Sequence, residues 1–289
     1  MIVGEYKKYS KIYGLEKKLN MKKNNLEKMR KRLWTFKQPL TKMPVNTEYA
    51  ISDMFVWRNS KNWKTFFELT DIAGLFVENK NDSSKARYVT MQFFNISGKK
   101  IHEECVQLIP NKRLTLEISK YLGDISDEIG TFCIFHSYIP LVIKKLNSYI
   151  TERGYISYMY KDAPLRSYVH GNMDAVQIDE HKNIGTLGGV SFLEREYRIQ
   201  HEFLALCNYE LLFVNHTKKV QNIRCSLEGL CNSEFKKVIE QKVVPMGVAK
   251  FDLYCPDTCS FRVIIMSKMV MARPLVYRIH DDKLDVFHG

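Results

Sequence analysis

Beyond about residue 45, the apolar residues of this chain recur at every second position, in short runs rich in Val, Ile, Phe, Tyr and Thr that are separated by Asn, Gly, Asp and Lys. That period and that composition predict β-strands. The expected strands are 64–69, 87–95, 100–109, 113–118, 131–136, 155–160 and 167–170, then 209–215, 220–227, 237–244, 248–254, 261–266 and 275–279. Only 141–151 reads as a helix within this stretch. Strands that follow one another closely without intervening helices point to antiparallel sandwiches rather than a parallel α/β sheet.

Before residue 45 the period is helical. Ile12, Leu15, Leu19, Leu26, Met29 and Leu33 follow one another at three-, four- and seven-residue steps, which places them on one helix face. Lys22 interrupts that stripe, and Lys17, Lys18, Lys23, Lys28, Arg30, Lys31 and Arg32 surround it. Pro39 and Pro44 then end the helix, because proline supplies no amide donor and restricts the residue before it.

Two stretches of the β region can be laid on each other. In the first, a strand from Tyr88 to Asn95 turns through Ser97 and Gly98, runs to Pro110 and continues into alternating Leu114, Leu116 and Ile118. In the second, a strand from Tyr209 to Asn215 turns through Thr217 and Lys218, reaches Pro245 and continues into Val248, Phe251 and Leu253. Each stretch then reaches a Pro-Leu pair (Pro164 and Leu165; Pro274 and Leu275), a Tyr (Tyr168; Tyr277) and a His (His170; His280). The expected organisation is a basic amphipathic helical arm at 1–44, a first β-sandwich unit at 45–205 and a second at 206–289, the two units being a diverged duplication.

This order, a strand ending in Asn, a turn, a strand ending before Pro and an alternating strand, resembles bacterial immunoglobulin-like and adhesion-type β-sandwich modules over residues 50–289. The resemblance implies a mainly β fold of two antiparallel immunoglobulin-like units and an interaction role. It carries over no catalytic residue.

Composition narrows the setting. The net charge of +12 suits a nucleic-acid binder until it is located: residues 1–42 hold 13 Lys or Arg against Glu5, Glu16 and Glu27, so +10 of it belongs to the arm. No apolar run is long enough to span a bilayer, and no secretory leader is visible, so a cytoplasmic protein is expected. Seven cysteines, an odd number set mostly in apolar stretches, fit a reducing compartment. Met21 is an alternative start that removes half the arm.

Candidate chemistry is sparse. Cys255 and Cys259 have zinc-like spacing, but Cys225 and Cys231 do not form a second such pair, so reduced structural cysteines are expected, with no metal and no cofactor. The glycines at 185, 188 and 189 lack the Lys-Ser/Thr pair of a phosphate loop. No Gly-x-Ser-x-Gly, His-Glu-x-x-His or other catalytic constellation is present, and no catalytic residue is assigned. The mixed aromatic and charged group Asp53, Trp57, Arg58, Trp63 and Glu68 reads as the first strands docking on the core, with a binding surface as the alternative.

The densest cluster of functional side chains is 167–176, and the candidate ligand-binding residues are Tyr158, Tyr160, Arg166, Tyr168, His170, Asn172 and Asp174. Tyr155, Tyr158, Tyr160 and Tyr168 are flat aromatics edged by Asn, Asp and Arg and suited to holding a sugar, while half-buried Tyr in strands is also ordinary core.

The leading expectation is therefore a non-catalytic interaction or accessory protein. Its arm (Leu15, Leu19, Leu26, Met29, Arg30, Lys31, Arg32, Leu33) meets another protein or an anionic surface. A carbohydrate-binding or carbohydrate-processing protein using residues 158–174 is the alternative, and nucleic acid is the weaker partner for the arm. The cysteine reading is directly testable: the denatured, unreduced protein is expected to titrate as seven thiols, and elemental analysis to find no zinc. One zinc per chain would overturn it.

Overall fold

Each period-two run becomes a strand, and several strands form where the period is broken. The computed structural model describes residues 50–76, 86–110, 112–123, 128–137, 150–171, 175–179, 181–230, 236–254, 260–270 and 273–289. The arm residues lie outside these, as do Asn172, Asp174, Cys231, Cys255, Cys259 and residues 141–149 of the expected helix.

The first part of the chain forms β1 (Ala50–Ser52), β2 (Phe55–Arg58), β3 (Trp63–Thr70), β4 (Tyr88–Asn95), β5 (Lys100–Gln107), β6 (Arg113–Glu117), β7 (Ile129–His136), β8 (Thr151–Glu152), β9 (Tyr155–Tyr160), β10 (Ser167–His170), β11 (Val176–Ile178) and β12 (Ile184–Thr186). The second part forms β13 (Val190–Arg198), β14 (Asn208–Val214), β15 (Gln221–Gly229), β16 (Lys236–Val243), β17 (Val248–Leu253), β18 (Phe261–Met269), β19 (Leu275–His280) and β20 (Lys283–His288). β13 carries no clean alternation because its register against β18 shifts between Val190 and Arg195, which displaces the side chains between them.

The described residues form five four-stranded sheets, in the orders β2-β7-β4-β5, β10-β9-β3-β6, β13-β18-β15-β16, β17-β14-β19-β20 and β12-β11-β1-β8. Among the described residues every pairing is antiparallel except β1 with β8. The protein is mainly β.

The first two sheets enclose one core and the next two another, and the two pairs have the same strand order. β2-β7-β4-β5 reads position for position as β13-β18-β15-β16, and β6-β3-β9-β10 as β17-β14-β19-β20. The sequence laid residues 88–95 on 209–215, yet β4 holds the place of β15 and β14 that of β3. The matches of 113–118 with 248–253 and of 131–136 with 261–265 fall on equivalent strands, β6 with β17 and β7 with β18. The Pro-Leu landmarks are also one strand out of step, since β10 is equivalent to β20 and not to β19. Alternation carries no label for which strand is which, so a slip by one strand leaves the pattern intact. β13 precedes residue 206 but pairs with β18.

β7 shows why some strands read as unbroken apolar runs. Phe132 and Ile134 enter the first core, while Cys133 and Phe135 pack with Ala50, Met54, Phe94, Val176 and Met246 beneath the small β12-β11-β1-β8 sheet. Both faces are covered. Trp57 is fixed on the adjacent strand by its indole N–H, shared between the carbonyls of Phe94 and Thr131, both at 3.1 Å. The edge strand β16, Lys-rich and largely exposed, has the composition that discourages pairing with a further strand.

The described residues from 50 to 289 belong to a single compact unit, in which the two sandwiches share apolar contacts. On β14, Tyr209, Leu211 and Phe213 point into the second core, while Leu212 and Val214 point into the first. On β19, Val276 enters the second core, and Leu275 and Tyr277 enter the first, where Tyr277 meets Trp63 and Tyr158 at ring distances of 5.2 and 5.0 Å. Arg58 pairs with Glu210 across this contact and lies 3.8 Å over the Trp63 ring. Lys250 holds the other Glu210 oxygen at 3.3 Å. Asp53, Trp57, Arg58 and Trp63 are all buried, as expected for strands docked on a core.

Removing one partner from a buried ion pair strands the other without compensation. Glu210→Gln is expected to lower the unfolding free energy by about 3 kcal/mol, measured by urea denaturation. The double change Arg58→Met with Glu210→Leu should cost less than Glu210→Gln alone.

Candidate functional site

Strand parity divides the tyrosine cluster between two faces of one sheet. On β9, Ile156, Tyr158 and Tyr160 face inward, because Ile156 and Tyr158 lie in the first core and Tyr160 packs against it. Tyr155 and Ser157 therefore face out. β9 pairs with β10 so that Tyr168 stands opposite Ser157 and His170 opposite Tyr155. It pairs with β3 so that Phe66 stands opposite Ser157 and Glu68 opposite Tyr155. Thr115 of β6 lies beyond Glu68.

The expected ligand residues thus separate. Tyr158 is 0% exposed and donates its hydroxyl to the Val56 carbonyl at 2.7 Å, and burial pushes its ionisation upward, so it is a core residue with no surface to offer a ligand. Tyr160 is half-buried and stacks beside Trp63 at 4.9 Å, with the Lys161 ammonium 5.4 Å from its ring. Tyr168, Arg166 and His170 stand on the outer side. Asn172 and Asp174 fall outside the described residues.

The outer face brings two of the candidate tyrosines together with residues distant in sequence. Tyr155 is 60% exposed and Tyr168 50%, and both line a groove of about 490 Å³ with Glu68, Thr70, Arg113 and Arg153. Glu68 is buried at its floor, accepting a hydrogen bond from the Thr115 hydroxyl at 2.8 Å and an ion pair from Arg113 Nε at 3.2 Å. Arg166 Nη1 stands 3.8 Å from the other Glu68 oxygen, and its guanidinium lies 4.3 Å over the Phe66 ring. Two buried polar atoms here have no hydrogen-bond partner: Arg166 Nη1 and Ser157 Oγ.

Behind the groove, Glu152 is held by the amide of Gly154 and by His136, whose Nε2 lies 2.8 Å from the carboxylate. Asp71 pairs with Arg87 nearby. Burial works to raise the Asp71 pKa, but the hydrogen bonds from Arg87 and the Gly74 amide, with the Arg87 charge, hold it below the ordinary carboxylate value. Among the described residues no cluster of His, Cys, Asp and Glu can hold a metal ion, and Cys105, Cys133, Cys207 and Cys225 are free.

No family model matches the chain, and no curated protein is similar to it in sequence. No described helix is long and apolar enough to cross a membrane.

A second, smaller concavity lies between the sandwiches. It is a cavity of about 40 Å³ lined by residues of both, including Val56, Tyr158, Leu212, His216, Leu275 and His288. His288 donates to the His170 carbonyl at 2.9 Å, and the two imidazoles sit 4.8 Å apart. Burial is the largest influence on both His216 and His288, and it lowers both pKa values. Each imidazole is therefore held neutral in the folded protein, whereas the unfolded chain takes up protons near pH 6.5. Stability is then complete above that pH and falls as the pH drops through the unfolded value toward the lower folded one. Urea midpoints should decline between pH 7.5 and 5.5, and His216→Gln should flatten that decline.

Proposed function

We propose that this is a non-catalytic interaction or accessory protein, in which two β-sandwich units from a diverged duplication form a rigid platform and the N-terminal basic arm contacts a partner. The partner is another protein or an anionic surface. The observation that carries this reading is the shared burial of β14 and β19: each strand sends alternate side chains into both cores, so the units cannot turn against each other without exposing Leu212, Leu275 and Tyr277. Such a body suits display better than a cycle of domain opening and closing.

The common strand order of the two sheet pairs supports the duplication. The immunoglobulin-like description has partial support. Its central B–E and C–F pairings match β3–β6 and β4–β7, whereas an immunoglobulin sandwich places its first two strands side by side and this protein places β2 beside β7. Exchange of the outer strands between sheets brings the arrangement nearer to a Greek-key roll.

The second reading, carbohydrate binding, is favoured by the exposure of Tyr155 and Tyr168 on one groove. It keeps Arg166 and Tyr168 of the predicted set, replaces Tyr158 and Tyr160 with Tyr155, and leaves out His170, whose ring lies 4.8 Å from that of His288 at the cavity between the sandwiches.

The arm is tested by deleting residues 1–42. The expected result is a nearly unchanged melting temperature with loss of salt-sensitive binding to phosphatidylserine vesicles, since about +10 of the charge is removed. Unfolding of the truncated body would mean that Leu15, Leu19, Leu26 and Leu33 are core residues, and would overturn the proposal.

A further inference from the structure

We propose that the outer face of the β10-β9-β3-β6 sheet is a binding site for a saccharide that carries a carboxylate. This deepens the carbohydrate reading and is independent of the arm.

Two exposed tyrosines on paired strands supply the stacking surface. Tyr155 and Tyr168 are diagonal neighbours in the register, a relation that sets side chains roughly 7–8 Å apart. Adjacent sugar units can rest their C–H faces on the two rings. A sugar's hydroxyls also need donors and acceptors side by side, and the outer face of the sheet supplies both. The Glu68 carboxylate accepts, Arg113 and Arg166 donate, and the Ser157 hydroxyl does either.

The second observation is the unmet polar capacity beneath the rings. Ser157 is fully buried, on the outward side of β9 between Phe66 and Tyr168, and its hydroxyl has no partner; Arg166 Nη1 beside Glu68 has no hydrogen-bond acceptor. Buried polar groups are ordinarily satisfied, and orphans collected under an exposed aromatic pair mark where a ligand's polar atoms complete the bonding.

Charge selects the sugar. Arg113 and Arg166 both reach the single carboxylate of Glu68, at 3.2 and 3.8 Å, and Glu152 is already engaged by His136. Two guanidiniums thus share one carboxylate. A planar guanidinium pinned over Phe66 is preorganised to take a carboxylate.

The test is calorimetric titration of the full chain with oligogalacturonate and hyaluronan fragments, with neutral maltooligosaccharides and single-stranded oligothymidylate for comparison. At least one acidic oligosaccharide is expected to bind. Tyr155→Ala and Tyr168→Ala, both at exposed positions, should each weaken it roughly tenfold with unchanged circular dichroism, and Arg166→Gln should weaken binding of the acidic oligosaccharide while leaving the weaker neutral-sugar affinity unchanged. Absence of acidic-sugar binding, indifference to the tyrosine changes, equal affinity for neutral sugars, or tighter binding of the oligonucleotide would each overturn the assignment. Vesicle binding through the arm is measured separately, so it can survive the loss of the sugar site.

Discussion

The architecture depends on one sheet, β17-β14-β19-β20, being buried on both faces. An antiparallel sheet ordinarily turns one face to water, and alternation along its strands then separates apolar from polar residues. Here the second face carries Leu212, Val214, Leu275, Tyr277 and Val286, and these join the core of the preceding sandwich around Trp63 and Tyr158. Burying that face removes apolar area from water that neither sandwich covers alone. It also forces a charge problem, because Glu210 shares the face, and Arg58 answers it from the other side of the contact.

That junction determines what the first sandwich can offer on its surface. Its inward tyrosines, Tyr158 and Tyr160, are consumed by the docking and the core. The opposite side of the same sheet stays open, and Tyr155 and Tyr168 remain available above a floor that holds a buried carboxylate between two arginines. The cavity left between the units, with His216 and His288 in its lining, is the small imperfection of the same contact.

Much of this was legible in the chain. β9 and β10 fall at the expected residues, and the strand character of β3 through β7 and of β14 through β19 follows from period two and composition. The strands that escaped include β2 and β20 as well as several whose local pattern was overruled. β13 has a register shift, and β1, β8, β11 and β12 are too short to show a period and exist by pairing with distant segments. The site was half legible. Parity already separates Tyr155 from Tyr158 and Tyr160, three and five residues on, but parity does not say which face looks outward. Glu68, Arg113 and Thr115 lie far from the tyrosines in sequence and reach them only through the β3–β9 and β3–β6 pairings.

By itself, the sequence determined that this is a mainly β chain with a basic segment ahead of it, because backbone periodicity and charge are local properties that each short stretch expresses alone. Tertiary structure alone decided which strands are neighbours, that the two units share a core, and which side of β9 meets solvent. Those outcomes depend on contacts between residues such as Arg58 and Glu210, 152 positions apart, and no local pattern encodes the choice of partner at that separation.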